Sequence, residues 1–278
     1  MSLKRQLLRQ AQFFHPQKKY SFLRGGDNSS AHAALFGVKE SFYQSLLDEI
    51  DRKVSEACEQ LCQDQHFRDT IKNLNIPAQG SVVVIGDSLT DDSQSWFSIL
   101  QRAFHILRNS DKIKFHNLAV SGDTTAHLQG SAVNALQLNA DVYFVFTGTN
   151  DGRIHGGEGC YTCTSIGEVE RNITQVIEFC KKRSDKPWIW LTPVGVDSQR
   201  IKTHDFFKPI EASWDHQHIQ QVASLIVQHA PISLDLRQQF SPIKDSPLMD
   251  EDGLHWSIEG QKLTAQLVIE HLASLLNK

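Results

Sequence analysis

Cysteine is scarce in this chain: there are five among 278 residues. An odd number that small gives no disulfide framework, so a reducing, cytoplasmic setting is expected. No apolar run approaches the roughly 20 residues that a membrane-spanning helix requires. The opening Met1–Gln10 carries charges but is followed by no apolar stretch of the kind a signal peptide has. No stable membrane insertion is therefore expected. Basic excess is missing too: 28 Lys and Arg stand against 32 Asp and Glu, for a net charge of −4. A partner held by phosphate neutralisation usually demands the opposite balance, which argues against nucleic acid. Internal repeats, low-complexity tracts, G-x-G-x-x-G and the G-x-x-x-x-G-K-[ST] phosphate loop are also absent.

What is present falls into two textures. Residues 1–80 are polar and helix-forming, with little strand signal, and read as a helical N-terminal extension. Phe42, Leu46, Leu47, Ile50, Val54, Ala57, Cys58 and Leu61 recur there at helical spacing, with charged residues between them. Arg24–Ser30 reads as a flexible turn cluster, and Pro77–Gly80 closes the region. This extension could serve as a lid, as a brace against the remaining fold, or as an arm making a homo-oligomer through its helices.

Residues 81–278 alternate short apolar runs with amphipathic segments. Ser81–Ile85, Lys114–Leu118, Val142–Thr147, Trp188–Thr192 and Ile232–Leu236 read as buried strands. Trp96–Leu107, Thr125–Leu138, Ile166–Lys182, Ala212–His229 and Ile258–Leu276 read as helices. Strands joined by helical crossovers imply an α/β fold with a parallel sheet covered on both faces. Ligands of such sheets bind at the carboxyl ends of the strands.

Four segments fall at those ends or just before the last helix. Gly86-Asp-Ser-Leu-Thr90 presents Ser88 where a helix begins. Ser88 could attack a carbonyl beside unpaired backbone amides, or simply cap the helix. Gly122, in Ser121-Gly-Asp-Thr-Thr125, lets a backbone N–H approach a ligand closely, or only serves its turn. Asn150, in Gly148-Thr-Asn-Asp151, could aim its amide at the same point or make a local turn bond. Asp252-Gly-Leu-His255 spaces an acid to hold an imidazole whose far nitrogen takes a proton from serine.

In this order, the four segments resemble those of the SGNH, or GDSL, hydrolase superfamily over residues 81–278, and Ser121–Thr125 looks like its arylesterase/lysophospholipase/thioesterase branch. The resemblance implies a flavodoxin-like, three-layer α/β/α sandwich with a five-stranded parallel sheet. It implies a catalytic set of Ser88, Asp252 and His255, with oxyanion donors from Ser88, Gly122 and Asn150, and no metal or organic cofactor. The implied reaction is hydrolysis of a small-molecule carboxylic ester through an acyl-serine. Longer acyl chains, as in lysophospholipase or thioesterase action, and carbohydrate O-deacetylation fit the same residues. A catalytically silent carbohydrate- or lipid-binding module is the non-enzymatic alternative. An α/β-hydrolase is disfavoured, because its G-x-S-x-G would need glycine where Thr90 stands. Thr149 and the loop Pro193–Ile201 depart from the branch pattern, and residues 1–80 lie outside it.

Four further residues are candidates for substrate contact. Arg153 and His155 follow Asn150 and could recognise a carboxylate, phosphate or sugar hydroxyl, or simply be solvated. Phe206 and Trp214 belong to an aromatic-rich loop, its end beginning a helix at Trp214, that could form an acyl or sugar pocket or be ordinary loop packing. Polar loops without an evident long apolar groove favour small esters. Cys160-Tyr-Thr-Cys163 has no second pair to complete a zinc site and reads as incidental.

Overall fold

Valines and aromatics with no polar interruption make strands only where both sheet faces are covered, and the two central runs are of this kind. The computed structural model describes residues 3–20, 22–23, 28–157 and 160–277; the turn expected at Arg24–Ser30 lies mostly outside them. The strands are Ser81–Gly86 (β1), Lys114–Asn117 (β2), Val142–Phe146 (β3), Arg153–Ile154 (β4), Trp188–Leu191 (β5), Ser213–Trp214 (β6) and Ser233–Leu234 (β7). Five form a parallel sheet in the order β2-β1-β3-β5-β7. The short β4 and β6 pair antiparallel beside it. Chain direction across the sheet reverses around β1, which places a topological switch point at the ends of β1 and its two neighbours.

The helices are Leu3–Gln12 (α1), Pro16–Lys19 (α2), Ser29–Leu35 (α3), Glu40–Gln63 (α4), Gln65–Lys72 (α5), Ser88–Asp91 (α6), Trp96–Leu107 (α7), Leu128–Gln137 (α8), Ile166–Lys181 (α9), Ser198–Thr203 (α10), His216–His229 (α11) and Ile258–Leu276 (α12). Alternate strand residues point to opposite faces. Val82, Val84, Phe144, Phe146, Ile189 and Leu191 pack with α7 and α12. Val83, Ile85, Tyr143, Val145, Trp188 and Trp190 pack with α8, α9 and α11 on the other side. The result is the expected three-layer α/β/α arrangement, with helices preceding β1.

Those preceding helices join the same body. Val54, Ala57, Cys58 and Leu61 of α4 share a core with α5, α7 and α12. Tyr43, Leu46 and Ile50, from the first half of α4, instead bury Leu7 and Ala11 of α1 and Ala33 of α3. One long apolar stripe therefore braces the sheet layer with one half and carries α1 with the other. The helix expected over Ala212–His229 begins later, at His216. Asp215 caps it by accepting the His218 N–H, and Ser213–Trp214 is extended to pair with β4. The last strand is also shorter than expected, Ser233–Leu234 rather than Ile232–Leu236.

Candidate active site

The site is built on sharp exits from β1, β2 and β3. β1 ends on Gly86, where a Cβ would collide with the Phe146 carbonyl oxygen of β3. Asp87 then accepts the Leu89 N–H at 3.0 Å and starts the single turn of α6 at Ser88. After β2, Gly122 has φ of 90°, a conformation that glycine adopts without the Cβ penalty. Asp91 holds this loop, accepting the Ser121 N–H at 3.0 Å and its hydroxyl at 2.6 Å. After β3, Asn150 is buried and its Nδ2 donates to the Asp123 carbonyl at 3.1 Å. Among the described residues, neither the Ser88 nor the Gly122 backbone N–H has a protein acceptor.

The segment before α12 closes the arrangement. His255 Nε2 lies 2.8 Å from Ser88 Oγ, and its Nδ1 lies 2.6 Å from Asp252 Oδ2. The other carboxylate oxygen, Oδ1, accepts the N–H groups of Leu254 and His255 at 2.9 and 2.8 Å. Asp252 is thus fixed by two backbone donors regardless of the ring it faces. With the Nδ1 proton directed at a carboxylate, Nε2 is the nitrogen free to accept from the serine hydroxyl. Residues 88, 252 and 255 come together as a continuous hydrogen-bonded chain, and the loops bearing Gly122 and Asn150 flank the serine at neighbouring strand ends.

The N-terminal helices also reach this chain, and nothing in the local sequence announces it. Arg9 of α1 donates to Asp252 Oδ2, the oxygen that faces His255, and to Asp250 Oδ2 at 2.6 Å. Phe13 packs on the His255 ring with centroids 4.7 Å apart, and the Arg9 guanidinium lies over Phe13. His15 and Lys18 contact Asp91 at 2.9 and 2.6 Å, so they brace the carboxylate that holds Ser121. The only trace of this in the sequence is charge complementarity between Arg5 and Arg9, one helical turn apart, and Asp250-Glu-Asp252.

Electrostatics follow from these contacts. Burial alone would raise Asp252, but the attraction of His255 and Arg9 and its hydrogen bonds hold it well below the ordinary carboxylate range. Burial opposes ionisation of Asp91 as well, and His15 and Lys18 overcome it. Among the described residues, no cation stands beside Asp87. Its burial, reinforced by Asp151, Asp123 and Asp91, pushes it up to about 8 despite the Leu89 N–H. Its Oδ2 has no partner among the described residues.

The four substrate-contact candidates separate. Phe206 lines a cavity of about 570 Å³ whose wall includes His255, Asp252 and Phe13. This is a correction to the expectation of polar surroundings, because its phenylalanines come from two segments far apart in the sequence. Arg153 lines a second, open cavity of about 870 Å³ together with Gly122, Lys18 and Lys19, and its Nε has no partner among the described residues. His155 is exposed and lines neither cavity. Trp214 is buried against Phe207, Ile219 and Leu254, because its place in β6 turns it into a small core and away from both cavities. Cys160 and Cys163 are exposed free thiols, and no cluster of three metal-ligating side chains occurs among the described residues.

The family described as GDSL-like Lipase/Acylhydrolase matches residues 84–263. No curated relative matches the chain. Among solved structures, a GDSL-like lipase from Parabacteroides merdae superposes with a TM-score of 0.53 at 16% identity, covering 72% of this chain and 98% of its own. A catalytic mutant of an acetylxylan esterase from Geobacillus stearothermophilus gives 0.52 at 13% identity, covering 72% and 96%. The psychrotrophic esterase EstA from Pseudoalteromonas gives 0.51 at 14% identity, covering 72% and 100%. At such identities these three carry the fold, whereas the family match spans the glycine turn, the serine and the Asp–His pair in one stretch. On that match the chain belongs to the GDSL-like lipase/acylhydrolase family, a family of carboxylic ester hydrolases.

Proposed function

We propose that this chain hydrolyses small carboxylic esters through an acyl-serine intermediate. The observation that carries the reading is the His255 ring held between Ser88 Oγ at 2.8 Å and Asp252 Oδ2 at 2.6 Å. His255 takes the hydroxyl proton as Ser88 attacks the ester carbonyl, and Asp252 stabilises the imidazolium that forms. The unpaired N–H groups of Ser88 and Gly122 and the side chain of Asn150 receive the oxyanion. Collapse of the tetrahedral intermediate breaks the carbon–oxygen bond to the alcohol, which takes its proton from His255. Water then attacks the acyl-serine with the same histidine as base, releasing the acid and restoring Ser88. Arg153 and Phe206, each at a cavity wall, contact the substrate.

Carbohydrate O-deacetylation is the second reading, supported by an acetylxylan esterase among the structures of like fold. Its chemistry is identical and only the alcohol differs. Five free cysteines fit a reducing, cytoplasmic compartment. A homo-oligomer through the N-terminal helices would have to use their outer faces, since the inner ones are occupied within the chain.

The test is release of acid from p-nitrophenyl acetate, longer-chain p-nitrophenyl esters, lysophospholipid and acetylated xylo-oligosaccharide by wild type and Ser88→Ala. Turnover that disappears with Ser88 supports the esterase reading, and its distribution over the panel chooses between acyl lengths and alcohols. Binding without Ser88-dependent turnover would support the non-enzymatic module instead.

A further inference from the structure

The aromatic cavity against His255 carries a statement about the substrate. Its rings come from two sources. Phe13, Phe14 and Phe36 lie just past the ends of α1 and α3 in the N-terminal helical region, and Phe206 and Phe207 in the loop after α10. Phe14 packs on Phe36 at 4.9 Å and Phe206 on Phe207 at 5.4 Å, so each source presents an apolar edge rather than an isolated ring. The first source lies outside residues 84–263, where the family match falls. Gln6, Arg9, Gln10, His204 and Asp205 line the cavity too, with the Arg9 guanidinium engaged by Asp250 and Asp252, yet the surface that the space presents is chiefly apolar.

Position relative to the reacting atoms decides which half of an ester belongs there. The cavity meets His255 and Asp252, whereas Gly122, with its free N–H, lines the other cavity, which carries the charges of Lys18, Lys19 and Arg153. His255 Nε2 returns the proton to the leaving oxygen, so the group bonded to that oxygen lies on the histidine side. A volume of about 570 Å³ is ample for a phenyl or hexyl group. A sugar alcohol would set most of its hydroxyls against a chiefly apolar surface, at a desolvation cost that an alkyl or aryl group does not incur.

We propose that, within the esterase reading on which this rests, the chain selects esters of apolar alcohols, alkyl or aryl, and that its N-terminal helices supply one wall of the alcohol pocket. Phe13 is then a specificity residue as well as a packing partner of His255.

The experiment measures kcat/KM for ethyl, butyl, hexyl and 2-phenylethyl acetate, whose alcohols differ little in acidity, by acetate release. Beside them runs a series that lengthens the acyl group of an ethyl ester. Each buried methylene should raise kcat/KM about fourfold, so butyl should exceed ethyl acetate on the order of tenfold. Phe206 is 64% exposed and outside the buried cores, so Phe206→Ala should leave the fold intact. This variant should lower the ratio of 2-phenylethyl to ethyl acetate several-fold, and Phe206→Leu should restore most of it. Phe13→Leu against Phe13→Ala applies the same test to the N-terminal wall, read as the same ratio. A flat alcohol series, a preference that follows acyl length alone, or ratios untouched by Phe206→Ala would each overturn the assignment while leaving the esterase reading in place. Failure of wild type to release acetate from every ester, with no difference from Ser88→Ala, would instead overturn the esterase reading and this one with it.

Discussion

Replacing Arg9 with methionine removes one positive charge beside Asp252 and keeps an aliphatic stem over Phe13. Arg9 and His255 touch the same carboxylate oxygen. A unit charge about 4 Å from that carboxylate attracts it by about 4 kcal/mol at an effective dielectric of about 20. The Arg9 side chain is 21% exposed, so solvent and salt reduce that figure, to about 2 kcal/mol if halved. The sign follows from charge: Arg9 helps to hold Asp252 well below the ordinary carboxylate range, so the stability it lends is present while Asp252 is ionised and is lost as acid protonates it. The groups facing this pair are Asp92, Asp250 and Asp252, with Glu251 held by Arg5, and all remain in the variant. Arg9→Met should therefore lose about 2 kcal/mol in urea melts at pH 7 and Arg9→Lys much less, with the deficit shrinking toward acid pH. Asp252 keeps its two backbone donors in both variants, so kcat/KM for p-nitrophenyl acetate at pH 7 should fall only modestly. Equal stability of Arg9→Met and wild type at pH 7, or a deficit that grows with acid, would refute this electrostatic role.

Other expectations follow from single contacts. Asp87, pushed up to about 8 when folded and near 3.9 when unfolded, binds more protons in the native state between those values. Its contribution is present at the acid end and declines as pH rises, by at most about 1.4 kcal/mol per unit. The stability of Asp87→Asn relative to wild type, read from urea melts, should hence improve from pH 5 to pH 8; a constant difference would argue against a protonated Asp87. Asn150→Ala should lower kcat on the order of 10²–10³-fold with a much smaller change in KM, as loss of an oxyanion donor requires. A Cβ at Gly122 meets open space, so Gly122→Ala should cost only the strain of its positive φ, about 1–2 kcal/mol. Gly86→Ala should be far more damaging, since its Cβ meets the backbone of β3. Thermal melts that rank these two variants the other way would contradict the geometry.

The sequence is most legible where a local pattern decides the outcome. β1 and β3 read correctly because a continuous apolar run buried on both faces has few alternatives. Ser88, Gly122, Asn150 and the Asp252–His255 pair are legible as candidates because each lies in a short motif at a strand end or helix start. The parallel sheet then brings those ends together. Arg9, Phe13, His15 and Lys18 were not legible, since their partners stand 76 or more residues away, 243 in the case of Arg9 and Asp252, apart from Lys18, which meets Asp91 across 73. Helical periodicity gives the buried face of α1 but not what its polar residues meet. Trp214 shows the opposite failure. An aromatic beside a loop looks like a pocket wall, yet pairing of β6 with β4 turns it into a core. An aspartate at 215 is a local N-cap signal that places the helix start at His216.

The central claim is that the Ser88 oxygen is the activated nucleophile. Intact-mass and peptide mapping after treatment with a fluorophosphonate ester test it directly. The account predicts one phosphonyl adduct per chain, on the peptide carrying Ser88, formed rapidly by wild type and at least 100-fold more slowly by His255→Ala. No adduct, or an adduct at another residue with equal rates in the two proteins, would contradict it.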